Sequence, residues 1–228
     1  MGNSVVKSVK SSLRLDPRTI FQLKYETTRA VARLRPGPKL SVEATHRVHL
    51  GCGMRRVEGW LNCDISRSDF DIDLLARRLP MPDNCAEVIV SQHVIEHLEL
   101  HEQLIPLFRE MRRILRPDGQ VWLSCPDLEK VCAAYVQDKG AELWKDRCER
   151  FPNFTLNGAP VQHLINDFFH QRGQHRNLFD LELLTWALGQ AGFRIVRRVC
   201  EADLLAAYPE FPERNDDVQS LYVMASPE

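Results

Sequence analysis

The stretch that decides the fold is Arg47-Val48-His49-Leu50-Gly51-Cys52-Gly53-Met54. Three of its first four residues favour a short buried strand. The Gly-x-Gly that follows predicts a tight turn, because glycine accepts positive φ and lets the backbone approach a ligand. Asp64 comes eleven residues after Gly53, closing a second strand-like run, Trp60-Leu61-Asn62-Cys63. A carboxylate there can accept hydrogen bonds from both ribose hydroxyls, so the sequence predicts a nucleoside site.

The spacing of this glycine turn departs from the dinucleotide fingerprint. The third glycine is missing, and the acidic residue comes sooner than the ~20 residues expected there. Between Gly53 and Trp60 there is no room for a crossover helix, since a complete βαβ crossover needs at least ~10–12 residues. These features disfavour NAD and favour a different nucleoside.

The composition is that of an ordinary globular protein. The 228 residues fit one large domain with an appendage, and 44% are hydrophobic and 27% charged. A net charge of −1 disfavours nucleic acid as a partner, and no apolar run approaches the ~18 residues of a membrane span. The seven cysteines form no C-x-x-C pair, which disfavours zinc-ribbon and redox motifs and predicts a cytoplasmic protein.

Residues 1–44 form a basic N-terminal extension, which contains nine lysines and arginines but only three acidic residues. Apolar residues with rough helical spacing predict a helix there, and Pro36-Gly37-Pro38 would end it before the first strand. Two interpretations remain open. The helix is either a basic amphipathic surface in weak peripheral contact with anionic lipid or an acidic partner, or a helix packed on the domain with a solvated charged face.

From Arg47 onward, strand-like and helix-like segments alternate, which predicts an α/β fold with a mostly parallel sheet. The predicted strands after the first two span residues 70–74, 87–91, 120–124, 193–199 and 221–225. The predicted helices span residues 102–115 and 180–191, the second ending at Gly192.

Seven short motifs occur in this order: Leu50-Gly51-Cys52-Gly53, residues 59–65, residues 79–84, residues 91–98, residues 114–119, residues 125–128 and Ala191-Gly192-Phe193. With them the chain resembles the class I S-adenosylmethionine-dependent methyltransferases, and within these the bacterial methyltransferase type 11 branch. The resemblance implies a Rossmann-like, doubly wound seven-stranded sheet with the last strand antiparallel, formed by residues 45–228. It also implies S-adenosylmethionine as cofactor and a small-molecule or saccharide acceptor.

The resemblance also implies the residues that bind the cofactor. The glycine turn would line its methionine and ribose parts, the second-strand carboxylate would bind the ribose hydroxyls, and the fourth strand would end near the sulfonium. The implied cofactor-binding residues are Gly51, Cys52, Gly53, Asp64, Ile65, Asp73, Leu74, Ser91, Gln92 and His93. Two positions depart from the family pattern. His49 stands where an acidic residue usually contacts the cofactor ammonium, and Arg55 replaces a third glycine.

His93-Val94-Ile95-Glu96-His97 matches the inverted zinc-protease pattern H-x-x-E-H. A buried strand directly before it disfavours a protease. Related methyltransferases that act on RNA 3′ ends or quinone precursors carry Glu-x-x-Glu-His here and bind a divalent ion, so a metal-assisted enzyme is an alternative, completed by His101 or a later histidine. We favour the simpler interpretation, in which these residues cap the helix and fix the cofactor loop, and we predict no metal ligands.

Residues 132–176 are long and unpatterned, which predicts a lid that covers the active site and selects the acceptor. His175 matches a histidine that family members often carry just before the penultimate helix. With His170 and His93 it is a candidate catalytic residue, because imidazole titrates near neutrality. The alternative is a histidine hydrogen-bonded within the lid.

The predicted function is therefore methyl transfer from S-adenosylmethionine to an unidentified small-molecule or glycan acceptor. The rival from another class is a non-catalytic protein that keeps the fold and interacts through its basic extension. Binding of the cofactor without turnover of any acceptor would favour that rival.

Overall fold

The computed structural model describes residues 16–34, 46–76 and 78–228. The predicted features in residues 1–15 and 35–45, including the helix-ending Pro36-Gly37-Pro38, lie outside these ranges. The seven strands are β1 Arg47–Leu50, β2 Leu61–Asp64, β3 Phe70–Asp71, β4 Ala86–Gln92, β5 Leu115–Pro126, β6 Ile195–Val199 and β7 Ser220–Ser226. The α-helices are α1 Pro17–Leu34, α2 Ile105–Ile114, α3 Leu128–Asp138, α4 Ala141–Arg150, α5 Gln162–His170, α6 Leu181–Gly189 and α7 Glu201–Ala207.

All seven strands join one sheet in the order β3-β2-β1-β4-β5-β7-β6. The first five are mutually parallel, and β7 runs antiparallel to both of its neighbours, β5 and β6. This confirms the predicted doubly wound sheet with its last strand antiparallel. The carboxyl ends of the parallel strands meet at one edge, which is where ligands bind in such sheets.

The two faces of the sheet bury separate apolar clusters, because side chains alternate along each strand. One face packs against α2 and α6 around Phe108 and Leu188. The other face packs Val90 and Trp122 against Phe211. The sheet therefore carries a packed apolar cluster on each face, as a mostly parallel sheet requires.

The connection from β1 to β2 contains no helix, as its length predicted. Segment 201–211, which follows β6, covers that part of the sheet instead. Phe211 packs edge-on to Trp60 with ring centroids 4.7 Å apart, and the indole of Trp60 donates a 2.7 Å hydrogen bond to Glu210. A distant part of the chain thus takes the place of a crossover helix.

Residues 132–176 differ from the unpatterned loop that the sequence predicted. They contain most of α3 and all of α4 and α5, which share a small apolar core around Leu143, Leu164 and Phe168. The predicted helix 102–115 also differs, since a short π-helical turn at Leu100–Leu104 precedes α2. No helix in the described ranges is long and apolar enough to cross a membrane.

Candidate active site

The glycine turn after β1 is held directly by the carboxylate that ends β2. The backbone N–H of Gly53 donates a 2.8 Å hydrogen bond to Oδ2 of Asp64, and the N–H of Ile65 donates to Oδ1 at 2.6 Å. Gly51 and Gly53 have φ of +71° and +54°. Each Asp64 oxygen keeps lone-pair capacity toward the open side, so the carboxylate can hold the turn and still accept hydrogen bonds from a ligand.

A cavity of about 370 Å³ opens beside this turn, within the ~300–1,000 Å³ typical of small-molecule sites. Seven predicted cofactor-binding residues line it, namely Gly51, Gly53, Asp64, Ile65, Asp73, Leu74 and His93. Cys52, Ser91 and Gln92 do not line it and are buried in the sheet edge. The fully buried Ser91 hydroxyl has no described hydrogen-bond partner.

Helix α1 forms one wall of this cavity through Gln22, Tyr25, Glu26 and Arg29, a role that the sequence did not predict. Two of its arginines bind the buried carboxylate of Asp73: Arg29 Nε lies 3.2 Å from Oδ1, and Arg33 Nε lies 2.5 Å from Oδ2. Asp73 therefore anchors α1 over the cavity.

A second cavity, of about 200 Å³, adjoins the first. His93 and His97 line both cavities, so the two share a wall. The second cavity is also lined by Glu96 and His175, and by Arg147 from α4. The geometry is that of a nucleoside-sized site next to a smaller site, with imidazoles between them.

A search of family models matches residues 41–198 to the family described as methyltransferase domain. The chain belongs to this methyltransferase family. S-adenosylmethionine is accordingly the cofactor of the methyltransferase, and the first cavity has the size and the polar groups for it.

Solved structures similar to the methyltransferase come from several organisms. An S-adenosylmethionine-dependent methyltransferase from Mesorhizobium loti is 19% identical, covering 86% of this chain and 95% of its own, with a TM-score of 0.41. One from Archaeoglobus fulgidus is 15% identical over 92% and 99%, with a TM-score of 0.44. Human N-acetylserotonin methyltransferase in complex with the cofactor is 12% identical over 68% and 32%, with a TM-score of 0.38. No curated protein matches the sequence.

His93 of the methyltransferase is clamped between two carboxylates. Its Nε2 lies 2.9 Å from Asp216, and its Nδ1 lies 3.2 Å from Glu96. Burial opposes the charged form, but these two hydrogen bonds outweigh burial and raise the pKa of His93. An imidazolium with both N–H groups donated is a poor proton acceptor, so this geometry favours a positioning role over that of a base.

His175 has the opposite arrangement. Its Nδ1 lies 2.6 Å from the carbonyl oxygen of Phe168 and must therefore donate, which leaves the Nε2 lone pair free. Nε2 is buried and has no described hydrogen-bond partner. Burial outweighs the bond to Phe168 and lowers the pKa of His175, so the ring is neutral at pH 7. His170, by contrast, is exposed and lines neither cavity.

The two departures from the family pattern both contact the segment that precedes β7. His49 is buried within the sheet, where its Nδ1 lies 3.4 Å from Asn62 Oδ1 and its ring packs edge-on to Phe211. It does not line the cofactor cavity. Arg55 does not line this cavity either, and its Nη2 donates a 2.7 Å hydrogen bond to the carbonyl of Glu213.

Proposed function

We propose that the methyltransferase transfers the methyl group of S-adenosylmethionine to a small-molecule or saccharide acceptor bound in the second cavity. The observation that carries this proposal is the wall of His93 and His97 that the two cavities share. An acceptor in the smaller cavity would lie next to the sulfonium end of a cofactor in the larger one.

Methyl transfer from a sulfonium requires of the protein mainly that it position the acceptor and the cofactor. As the new bond to the acceptor forms, the carbon–sulfur bond of the sulfonium breaks, and its electron pair stays on sulfur. Holding the two reactants in line can contribute roughly 7–11 kcal/mol. A hydroxyl acceptor also loses a proton. His175 lines the acceptor cavity and keeps a free lone pair on Nε2, so it is our candidate for the base that takes this proton.

Replacing Asp64 by Ala tests the cofactor site. The variant loses the acceptor for the ribose hydroxyls and the anchor of the glycine turn, so binding of S-adenosylhomocysteine, the demethylated product, is expected to weaken by about 1.5–3 kcal/mol. Isothermal titration calorimetry measures this. Asp118→Ala, which removes an exposed carboxylate at the start of β5, serves as the matched control and keeps wild-type affinity. Unchanged affinity in the Asp64 variant would refute the assignment.

The function itself is tested with methyl-labelled cofactor and pools of small molecules and saccharides. Transfer of label into a pool component by the wild type, and its loss in Asp64→Ala, is the expected result. Cofactor binding with no transfer into any pool would favour the non-catalytic alternative.

Metal-assisted transfer is a second candidate, because three potential ligands converge beside the acceptor cavity. Ligand atoms of Glu96, His97 and His175 lie within 4.8 Å of one another. His97 Nδ1 lies 3.3 Å from the carbonyl of Gln174, and His175 donates its Nδ1 to Phe168, so both rings present Nε2. This orientation is usual for metal-binding histidines. In this cluster His175 takes the place of His93, which the sequence motif groups with Glu96 and His97.

The residues present fit a divalent cation, since Glu96 Oε2 and His175 Nε2 are buried without described hydrogen-bond partners. Bound there, a cation would polarise an acceptor hydroxyl. We expect calorimetric titration with Mn²⁺ to give one site per chain, lost in His97→Gln and retained in His101→Gln, which alters an exposed histidine outside both cavities. Methyl transfer at an undiminished rate in excess EDTA would exclude this candidate.

We further propose that the reaction takes place in the cytoplasm. All seven cysteines fall in the described ranges and are free thiols, including the buried Cys52 and Cys63 on neighbouring elements. Burial raises the pKa of the Cys52 thiol to about 11, which keeps it protonated and unreactive. Thiols in this number are typical of a reducing compartment.

A further inference from the structure

Arg147 is a largely buried cation that forms no ion pair with any carboxylate in the described part of the chain. It projects from α4 into the wall of the acceptor cavity, where its guanidinium lies over the rings of three phenylalanines. The distances from Cζ to the ring centroids are 5.7 Å for Phe151, 5.4 Å for Phe154 and 5.1 Å for Phe168. Stacked rings fix the plane of the guanidinium and exclude water from it, which strengthens its attraction for an anion.

The polar contacts of Arg147 leave most of its donors unused. Its one hydrogen bond to a described residue runs from Nη2 to Gln219 Oε1, at 3.2 Å. Its Nε is buried without a described partner, and no described carboxylate forms an ion pair with it. A buried charge of this kind is costly unless something pairs with it. The unused donors of Arg147 can therefore bind an anion that enters the cavity.

The neighbouring charges show why Arg147 stands apart. Arg150, one turn further along α4, is already bound to Asp146, with Nε 3.0 Å from Oδ2. Arg214 is bound to Asp216, at 3.2 Å from Nε to Oδ2. These two arginines are thus compensated by carboxylates of the protein itself. Asp167 also lines the cavity and its charge favours the protonated form of Arg147, but the two side chains form no ion pair.

Arg55 repeats the pattern at the far side of the same space. It lines a cavity of about 490 Å³ that shares four residues with the acceptor cavity, namely Arg150, Phe151, Arg214 and Asp216. Its Nε is also buried without a described partner, and its hydrogen bond goes to a backbone carbonyl rather than to a carboxylate. Arg147 and Arg55, neither of which forms an ion pair with a described carboxylate, therefore border one continuous region.

We infer that the acceptor carries an anionic group, a carboxylate or a phosphate, which Arg147 binds while the acceptor lies against His175. This deepens the proposed function and rests on it. The planar fork of a guanidinium matches either oxyanion with two parallel hydrogen bonds. The volume of about 200 Å³ admits a small acid, an acidic sugar or a sugar phosphate.

Direct titration of anions tests the inference. Inorganic phosphate and acetate are titrated separately into full-length protein saturated with S-adenosylhomocysteine, so that the cofactor cavity is filled. Saturable binding of at least one anion is expected. The anion that binds more tightly identifies whether the charged group of the acceptor is a phosphate or a carboxylate. In Arg147→Met binding should weaken roughly 10- to 100-fold, the worth of hydrogen bonds to a charged group. Lys145→Met removes an exposed positive charge from the same helix and should leave binding unchanged.

Arg147→Lys is a second variant in case Arg147→Met fails to fold, because it keeps the positive charge and loses only the planar guanidinium. Its affinity for the anion should lie between those of the wild type and Arg147→Met. Affinity for S-adenosylhomocysteine monitors the fold in every variant. Failure of both anions to bind the wild type, or equal binding in Arg147→Met, would overturn the inference while leaving methyl transfer intact. If S-adenosylhomocysteine itself fails to bind, the proposed function fails instead, and the anion titration of the unliganded protein still decides the role of Arg147.

Discussion

Replacing Gly51 by Ala is expected to abolish measurable binding of S-adenosylhomocysteine and to destabilise the fold. A Cβ at this position would lie 2.2 Å from Cγ2 of Val94, which itself lines the cofactor cavity. The φ of +71° adds backbone strain. Strain of about 1–2 kcal/mol and overpacking of about 1–3 kcal/mol together predict a loss of about 2–5 kcal/mol of stability. Urea denaturation and calorimetric titration measure the two effects.

Gly59 provides the matched control for this substitution. Its φ is +78°, but a Cβ there would have no neighbour within 4 Å. Gly59→Ala should therefore show the strain alone, with the cofactor affinity of the wild type. Equal effects of the two substitutions on affinity would mean that the clash with Val94 is not the reason why position 51 requires glycine.

Acidification from pH 7 to pH 4 is expected to remove about 3 kcal/mol of stability through His49 alone. Burial lowers the pKa of His49 to about 4 in the folded protein, although the hydrogen bond to Asn62 acts in the opposite direction. In the unfolded chain the pKa of this histidine is the ordinary value of about 6.5. Below pH 6.5 the unfolded state takes up the proton and the folded state does not, so stability falls with pH and levels off below about 4. The loss should be about 2 kcal/mol at pH 5 and about 3 kcal/mol at pH 4.

The effect of His49 is isolated by comparing variants, because other groups titrate nearby. The hydrogen bonds that raise the pKa of His93 add stability as the pH falls through its folded pKa, and the lowered pKa of His175 acts in the same direction as that of His49. The free energy of unfolding of His49→Gln should therefore vary by about 2 kcal/mol less than that of the wild type between pH 7 and pH 5. The exposed His163→Gln should retain the wild-type dependence. An unchanged dependence in His49→Gln would contradict the prediction.

The parts of the site that could be predicted from the sequence are those encoded locally. Gly51 and Gly53 have positive φ because the turn between two adjacent parallel strands demands it, and Asp64 sits at the end of the next strand. The number of strands and the antiparallel direction of the last one were also predicted, from the resemblance rather than from any single motif.

The remaining features depend on contacts between distant residues, which local patterns do not encode. The ion pair of Arg29 with Asp73 joins residues 44 positions apart, and the bond of His93 to Asp216 joins residues 123 positions apart. Helix α4 was missed because Leu143 is its one fully buried residue, so the sequence shows no apolar stripe. Its functional side chain, Arg147, looked like one surface charge among many.

Covering the β1–β2 part of the sheet with residues from beyond β6 has a consequence for biosynthesis. While the ribosome is still adding residues 201–222, Trp60 and Trp122 lack their ring contacts with Tyr208 and Phe211. Glu210 is also not yet there to accept hydrogen bonds from Trp60 and Arg47. Contacts of such long sequence separation form late and slow folding. The nascent chain up to β6 therefore exposes part of this apolar face until residues 201–222 have been synthesised. Exposed apolar surface of this kind is a typical substrate for chaperones.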